Sequence, residues 1–336
     1  MSATKRINLA LQGGGSHGAY TWGALDAILE DERLEIEGVS GTSAGAMNAV
    51  VMASGLLESR TAAREKLTRF WRAVAEAAAP GSTLPGVGAW LSLFRNMVAP
   101  PSLEATVADA SSPYVFNPPN FNLLYRILEG AVDFPDLRAS AAPKLFIAAT
   151  NVRTGKRAVF TRDKLTPKHV MASATLPHLF QAVRIGDNYF WDGGYSGNPP
   201  LAPLFDGGDA SDVIIVQINP IHRDQIPQTP LEINNRVNEI TFNASLLAEL
   251  SQLRAVAKIA QAGGSADGRR LHRIGGDGRL ERFSGDTKFD ASWDFLQELR
   301  DLGRASAKHW LTAHFDAIGV HSTLDVSATL HRTEEG

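Results

Sequence analysis

The stretch Leu34-Glu35-Ile36-Glu37-Gly38-Val39-Ser40-Gly41-Thr42-Ser43-Ala44-Gly45-Ala46-Met47-Asn48-Ala49-Val50-Val51-Met52 joins a strand-like run to a helix-like run through a G-x-S-x-G turn. A sharp strand-to-helix turn needs small residues flanking the serine, because bulk at Gly41 or Gly45 would meet neighbouring backbone. Such a turn holds the Ser43 hydroxyl clear of the sheet at the N-terminus of a helix, whose dipole favours developing negative charge. A serine so placed can attack an acyl carbon. The competing reading is a tight connection in which Thr42 or Ser43 merely caps the helix.

Working towards the N-terminus, Gly13-Gly14-Gly15-Ser16-His17-Gly18 follows the apolar run at 7–11. Consecutive glycines let successive backbone N–H groups converge on one concavity, a nest for an anion. Tyr20, Leu25, Ile28 and Leu29 then form a helical stripe, so a helix dipole adds to the effect. The loop could therefore stabilise the oxyanion of an acyl-transfer intermediate. It also satisfies the dinucleotide fingerprint at Gly13-x-Gly15-x-x-Gly18, with Glu35 or Glu37 roughly 20 residues on. That makes a dinucleotide-binding oxidoreductase the rival reading. Its acid should close the second strand, however, and this strand closes in Ser40-Gly41-Thr42-Ser43. A P-loop is excluded, because no Lys-Ser/Thr pair follows Gly18.

Further along, Tyr189-Phe190-Trp191-Asp192-Gly193-Gly194 is an aromatic strand end running into an acid and two glycines. A carboxylate there can project into the serine's cleft, although Asp-Gly alone more often marks an ordinary turn. A glycine nest, a serine elbow and an acid before glycines in one chain favour catalysis over three separate turns.

With those motifs in hand, the sequence resembles the patatin-like phospholipases, lipid acyl hydrolases that use a Ser–Asp dyad. The family's oxyanion loop matches Gly13, Gly14, Gly15, Ser16 and Gly18. Its nucleophile elbow matches Gly41 to Gly45, and its Asp-Gly-Gly motif matches Asp192, Gly193 and Gly194. Ala172-Ser173-Ala174-Thr175-Leu176-Pro177-His178-Leu179-Phe180 resembles the family's small-residue helix, and Asn198-Pro199 its usual continuation. The resemblance spans roughly residues 6–220 and implies a three-layer α/β sandwich. One departure stands out: many members carry Arg or Lys in the oxyanion loop, where this chain has Ser16-His17.

The resemblance implies Ser43 as nucleophile and Asp192 as its proton acceptor. A Ser–His–Asp triad is the nearest rival mechanism, with His17, His169 and His178 as candidate bases. The implied partner is a lipid or acyl-ester substrate, with any membrane contact peripheral. A catalytically silent interaction protein of the same fold is a further alternative.

Composition narrows the field. At 44% hydrophobic and 21% charged residues, the 336-residue chain reads as an ordinary globular protein. A formal net charge of −3 gives no general attraction to nucleic acid. No cysteine is present, which removes disulfides, thiolate metal sites and a cysteine nucleophile. The 9 histidines form no ligand-spaced cluster, so no metal or other cofactor is expected. The N-terminal apolar stretch is too short for a signal-peptide core, which points to a first strand and a cytoplasmic enzyme.

Strand-like runs at 7–11, 36–39, 145–149, 158–161 and 213–218 alternate with helical patterns. This predicts an α/β fold with a largely parallel central sheet and helices on both faces. Ala63, Leu67, Phe70, Trp71 and Val74 make a helical stripe over 60–78. Residues 80–122 mix prolines and glycines with Trp90, Leu91, Leu93, Phe94, Met97 and Val98, and read either as an apolar cap lining an acyl groove or as a purely structural packing insert. After Pro230 a C-terminal helical subdomain is expected over 230–320, packed on the core. Within it the sequence suggests a helix to about 262, a mixed basic stretch at 271–283, and helices at 293–302 and 305–318 separated at Gly303.

Overall fold

A computed structural model of the chain describes residues 4–79, 112–117, 120, 122–141, 143–206, 210–262, 268–275, 278–283 and 285–331. The apolar runs build a mixed sheet of eight strands. They are β1 (Lys5–Leu11), β2 (Leu34–Gly41), β3 (Lys144–Asn151), β4 (Arg157–Thr161), β5 (Val183–Ile185), β6 (Asn188–Asp192), β7 (Asp212–Val216) and β8 (Arg270–Ile274). The order is β5-β6-β3-β2-β1-β7-β8, with β4 also on β3. Strands β3, β2, β1, β7 and β8 run parallel, and β4, β5 and β6 pair antiparallel.

Side chains alternate across a strand, so each parallel strand supplies two cores. Ile7, Leu9, Leu11, Ile214 and Val216 join one apolar cluster, whereas Ala10, Val213 and Ile215 join another. Helices α1 (Gly18–Glu30), α2 (Ala44–Leu56) and α3 (Arg60–Ala78) contribute to the first. The short α4 (Pro113–Phe116) is followed by α5 (Leu123–Ala131), α6 (Phe134–Ala139) and α7 (Pro167–Ser173). Helix α8 (Ala202–Asp206) and the long α9 (Pro230–Ala262) give Leu204, Leu246 and Leu250 to the second cluster. Helices α10 (Trp293–His314) and α11 (Val326–His331) complete the chain. The result is the expected sheet with helices on both faces. The predicted α3 stripe is buried at all five positions, and Ser59 caps the helix by accepting from the Ala62 N–H at 3.0 Å.

Two details of the C-terminal region differ from the sequence reading. The mixed basic stretch begins as β8, paired with β7 from Arg270 to Ile274. Its polar residues disguised it: His272 and Arg270 both meet the buried Asp212, each at 2.9 Å. Helix α10 also runs unbroken through Gly303. That glycine is a contact point, since a β-carbon there would lie 1.9 Å from the Tyr20 carbonyl oxygen, and one at Gly23 would lie 1.8 Å from that of Arg300. Backbone meets backbone where α1 and α10 cross. Asp26 on α1 anchors the crossing by pairing with Arg64, Arg300 and Arg304.

Among the described residues no helix is long and apolar enough to cross a membrane. The proposed cap residues Trp90, Leu91, Leu93, Phe94, Met97 and Val98 lie outside the described residues.

Candidate active site

Strand β2 ends at Gly41 and α2 begins at Ala44, which leaves Thr42 and Ser43 to make the turn. Ser43 adopts φ 54° and ψ −123°, a conformation that costs a side chain on the order of 1–3 kcal/mol. The flanking glycines are obligatory. A β-carbon at Gly41 would lie 2.7 Å from the Gly45 carbonyl oxygen, and one at Gly45 would lie 2.2 Å from that of Leu11. The Ser43 N–H donates to Ser173 Oγ at 2.9 Å, and Thr42 Oγ1 donates to the Gly197 carbonyl at 2.6 Å. The Ser43 side chain makes no capping bond, so the capping reading does not describe it. It faces a cavity of about 180 Å³.

Asp192 reaches this turn through the sheet. A strand has two edges, and β4 takes one edge of β3 from Phe146 to Thr150. Both β2 and β6 must therefore share the other edge in series. Gly41 pairs with Ile147 and Asp192 with Ala149, and the two strands run towards each other. Their C-terminal ends meet two residues apart along β3. There Asp192 is completely buried. Its N–H donates to the Thr175 carbonyl at 2.8 Å, and its Oδ1 accepts from the Gly194 N–H at 2.7 Å. Its Oδ2 has no hydrogen bond of normal geometry. Burial pushes the carboxyl up to about 7, against the opposing pull of the Gly194 N–H and the Ser43 hydroxyl. The serine is thus near enough to favour the carboxylate without completing a bond to Oδ2.

The glycine loop forms a second wall beside this turn, for a β-carbon at Gly13 would lie 2.6 Å from that of Ser43. Gly15 has φ 61°, and a β-carbon there would strike the Lys288 carbonyl oxygen at 2.4 Å. Two of the predicted oxyanion donors are engaged elsewhere. The Gly13 N–H donates to Asn198 Oδ1 at 2.7 Å, and the Gly18 N–H closes the single 3₁₀ turn Gly15–His17. Gly18 instead lets α1 approach the elbow, for its β-carbon would lie 2.6 Å from that of Ala44. Gly14, Gly15, Ser16 and Ala44 line the cavity, and their N–H groups are engaged by no hydrogen bond among the described residues.

The loop is held from behind. The Gly13 carbonyl accepts from Asn219 Nδ2 at 2.7 Å, and Gln12 Oε1 accepts from the Ile218 and Asn219 N–H groups at 2.9 and 2.8 Å. The sequence reading did not select Gln12, Asn219, Ser173 or Lys288. The resemblance had marked the Ser173 helix and Asn198-Pro199, and both contact the site directly. Nothing in the local sequence of Asn219 or Lys288 distinguishes them.

Most of the cavity wall is apolar. Phe70, Trp71 and Val74 contribute to it, so the α3 stripe read as a core face also borders the site. Trp71 is oriented by its Nε1–H, which donates to Asn48 Oδ1 at 3.0 Å, while Asn48 Nδ2 donates to the Gly18 carbonyl at 2.9 Å. Of the candidate histidines, only His178 lines the cavity. His17 is buried against Thr287, with Nε2 2.7 Å from Oγ1, and burial beside Lys288 drives it down to about 3. His169 pairs with Thr166 at 2.8 Å and packs edge-on against Phe160.

The dinucleotide reading fails on register. Glu35 pairs with Arg6 at the N-terminal end of β1, a strand length (about 20 Å at roughly 3.3 Å per residue) from the glycine loop. Glu37 is occupied there with Arg6, Lys144 and the Ala210 N–H. Among the described residues no group of acids and histidines could hold a metal ion.

The α/β sheet thus sets a strained serine and a buried acid at adjoining strand ends, beside backbone donors with no partner among the described residues. Comparison with known proteins places the chain: residues 9–205 match the patatin-like phospholipase family. The chain belongs to that family, whose members are lipid ester hydrolases. Solved structures it resembles include VipD from Legionella pneumophila, at 13% identity over 98% of this chain and 73% of that one, with a TM-score of 0.44. The type III effector protein ExoU is similar at 16% identity over 95% of this chain and 54% of that one, with a TM-score of 0.35. These are distant likenesses, and the assignment rests on the family match. Comparison with curated proteins gives no match.

Proposed function

We propose that the protein cleaves lipid carboxylic esters by covalent catalysis, with Ser43 as nucleophile and Asp192 as its base. The observation that carries this reading is the meeting of β2 and β6 on one edge of β3, which sets a fully buried Asp192, its Oδ2 unpartnered among the described residues, beside the Ser43 turn. Burial raises that carboxyl to about 7. An ordinary aspartate is too weak a base to activate serine, and a carboxyl near 7 is well matched to the task.

Ser43 Oγ attacks the ester carbonyl as its proton passes to Asp192. The oxyanion is taken up by free N–H groups of Gly14, Gly15, Ser16 and Ala44, and Asp192 returns the proton to the departing alcohol. Water then attacks the acyl-enzyme with Asp192 again as base. The strained φ of Ser43 keeps the hydroxyl pointed at the cavity, whose apolar wall suits an acyl chain. Substrate held in a lipid surface would be met peripherally.

The test is labelling with a fluorophosphonate followed by peptide mapping. Ser43 should be modified in native protein and not after denaturation. Ser43→Ala should lose both labelling and esterase activity, and Asp192→Asn should lower turnover by about 10⁴ or more, as in other catalytic units. Modification of a different serine, or an Asp192→Asn variant of near-normal activity, would overturn the reading.

A further inference from the structure

The Gly13–Gly18 loop offers no positive charge of its own. Its only ionisable side chain, His17, is held neutral by burial and engaged with Thr287. A cation nevertheless stands beside the loop, contributed by a distant part of the chain. Lys288 comes from the 3₁₀ turn Gly285–Phe289, which packs its backbone against Gly15 and lines the same cavity as Ser43. The Lys288 ammonium makes no ion pair with a carboxylate among the described residues. Glu239 acts on it only through its field, and that carboxylate is already bound by Arg223 and Arg236.

The ammonium is aimed instead at a short relay. Lys288 Nζ donates to Asn219 Oδ1 at 2.7 Å, and Asn219 Nδ2 donates to the Gly13 carbonyl at 2.7 Å. That orientation of the amide is the one that satisfies both partners, since an ammonium only donates and a carbonyl only accepts. The Gly13–Gly14 peptide is trans, so its N–H points away from its carbonyl. The carbonyl faces Asn219, and the opposing Gly14 N–H belongs to a cavity-lining residue and has no partner among the described residues. Ammonium, amide and peptide therefore align their dipoles head to tail, with the donor end at the cavity. Each bond in such a chain polarises the next.

We propose that Lys288 is a positioning residue for the oxyanion loop, fixing and polarising the Gly13–Gly14 peptide through Asn219. It supplies from outside the loop the positive charge that the loop sequence lacks. This rests on the Ser43 reading above. Lys288 need not touch the substrate, and its effect falls on the step in which negative charge develops.

The experiment uses the full chain and a neutral short-chain ester, so that attraction to an anionic substrate plays no part. It measures kcat, KM, the rate of fluorophosphonate labelling, and Tm. Loss of a direct oxyanion donor typically costs about 10²–10³ in rate, and loss of its support should cost less, about 10- to 100-fold in kcat. Lys288→Met should show that loss with KM changed less than about twofold, and Lys288→Arg should restore most of kcat. Asn219→Leu, which keeps the lysine, should lower kcat similarly, and adding Lys288→Met to it should cost little more. Normal kcat in Lys288→Met, or in Asn219→Leu should the lysine variant not fold, overturns the inference. So does a Lys288→Arg variant as impaired as Lys288→Met with both melting early, which would mean packing alone. A wild-type chain that neither turns over the ester nor takes the probe would remove the Ser43 reading itself. A labelled wild type with equally labelled Lys288→Met removes only the relay.

Discussion

One wall of the site is the junction of β2 and β6, where Ser43 sits at φ 54° and Asp192 keeps a buried carboxylate oxygen without a partner among the described residues. The other wall is the glycine loop, where Gly13 has its own N–H and carbonyl both engaged, by Asn198 and Asn219. The first wall stores strain and unsatisfied polarity in the two groups that would react. The second is held from behind, and leaves the N–H groups of the cavity-lining Gly14, Gly15 and Ser16 unpaired among the described residues. Reactivity and support are thus divided between the walls, and each can be disturbed alone.

The largest effect should come from the elbow. Gly45→Ala puts a β-carbon 2.2 Å from the Leu11 carbonyl oxygen, where the backbone of Leu11 and Gln12 leaves little room to yield. Loss of about 3 kcal/mol or more is expected, with loss of fluorophosphonate labelling. Circular dichroism melts and labelling check it, and a stable, reactive variant would show the turn to be less tight than described.

Comparable in size is the stored electrostatic strain. The Asp192 carboxyl rises from 3.8 when unfolded to about 7 in the fold, so the native state holds its proton more tightly. That contribution to stability is complete below the unfolded value and is lost as pH rises through about 7. Asp192→Asn should therefore be more stable than the parent at pH 8, by up to about 1.4 kcal/mol per unit of the pKa difference. The advantage should vanish towards pH 4. Over the same range the parent's kcat/KM should climb with pH as the carboxyl ionises. Thermal melts of both proteins across pH 4 to 8 measure the first effect, and parallel curves would deny that this wall is strained.

The smallest of the three concerns the supporting wall. Asn198→Ala strips the Gly13 N–H of its partner, which should cost about 1–3 kcal/mol in stability. Turnover should fall by roughly tenfold to a hundredfold while Ser43 still takes the probe, only more slowly, because support of the oxyanion is weakened and the nucleophile is kept. Labelling lost as completely as in Gly45→Ala would erase the distinction between the walls.

Legibility follows the same division. The elbow was readable because strand, turn and helix are contiguous and only glycine tolerates the approach at Gly41 and Gly45. The nest at Gly13–Gly15 was readable for a similar reason, although the sequence assigned Gly13 and Gly18 as donors when their N–H groups are bound within the chain. β8 was missed because its buried His272 looks polar until Asp212 is placed beside it. The break expected at Gly303 was a packing contact, because a glycine that ends a helix and one that admits a neighbouring helix look alike in sequence.

The sequence by itself determined the alternating α/β architecture, the serine turn, the glycine nest and the acid before two glycines. Each is a local pattern set by backbone sterics and side-chain periodicity. Only the tertiary structure decided that β2 and β6 share one edge of β3, bringing Asp192 to Ser43, and that Asn219 and Lys288 stand behind the loop. Those contacts join segments far apart in the chain. A side-chain amide or ammonium that will bind a distant glycine peptide looks no different in sequence from one that will meet water.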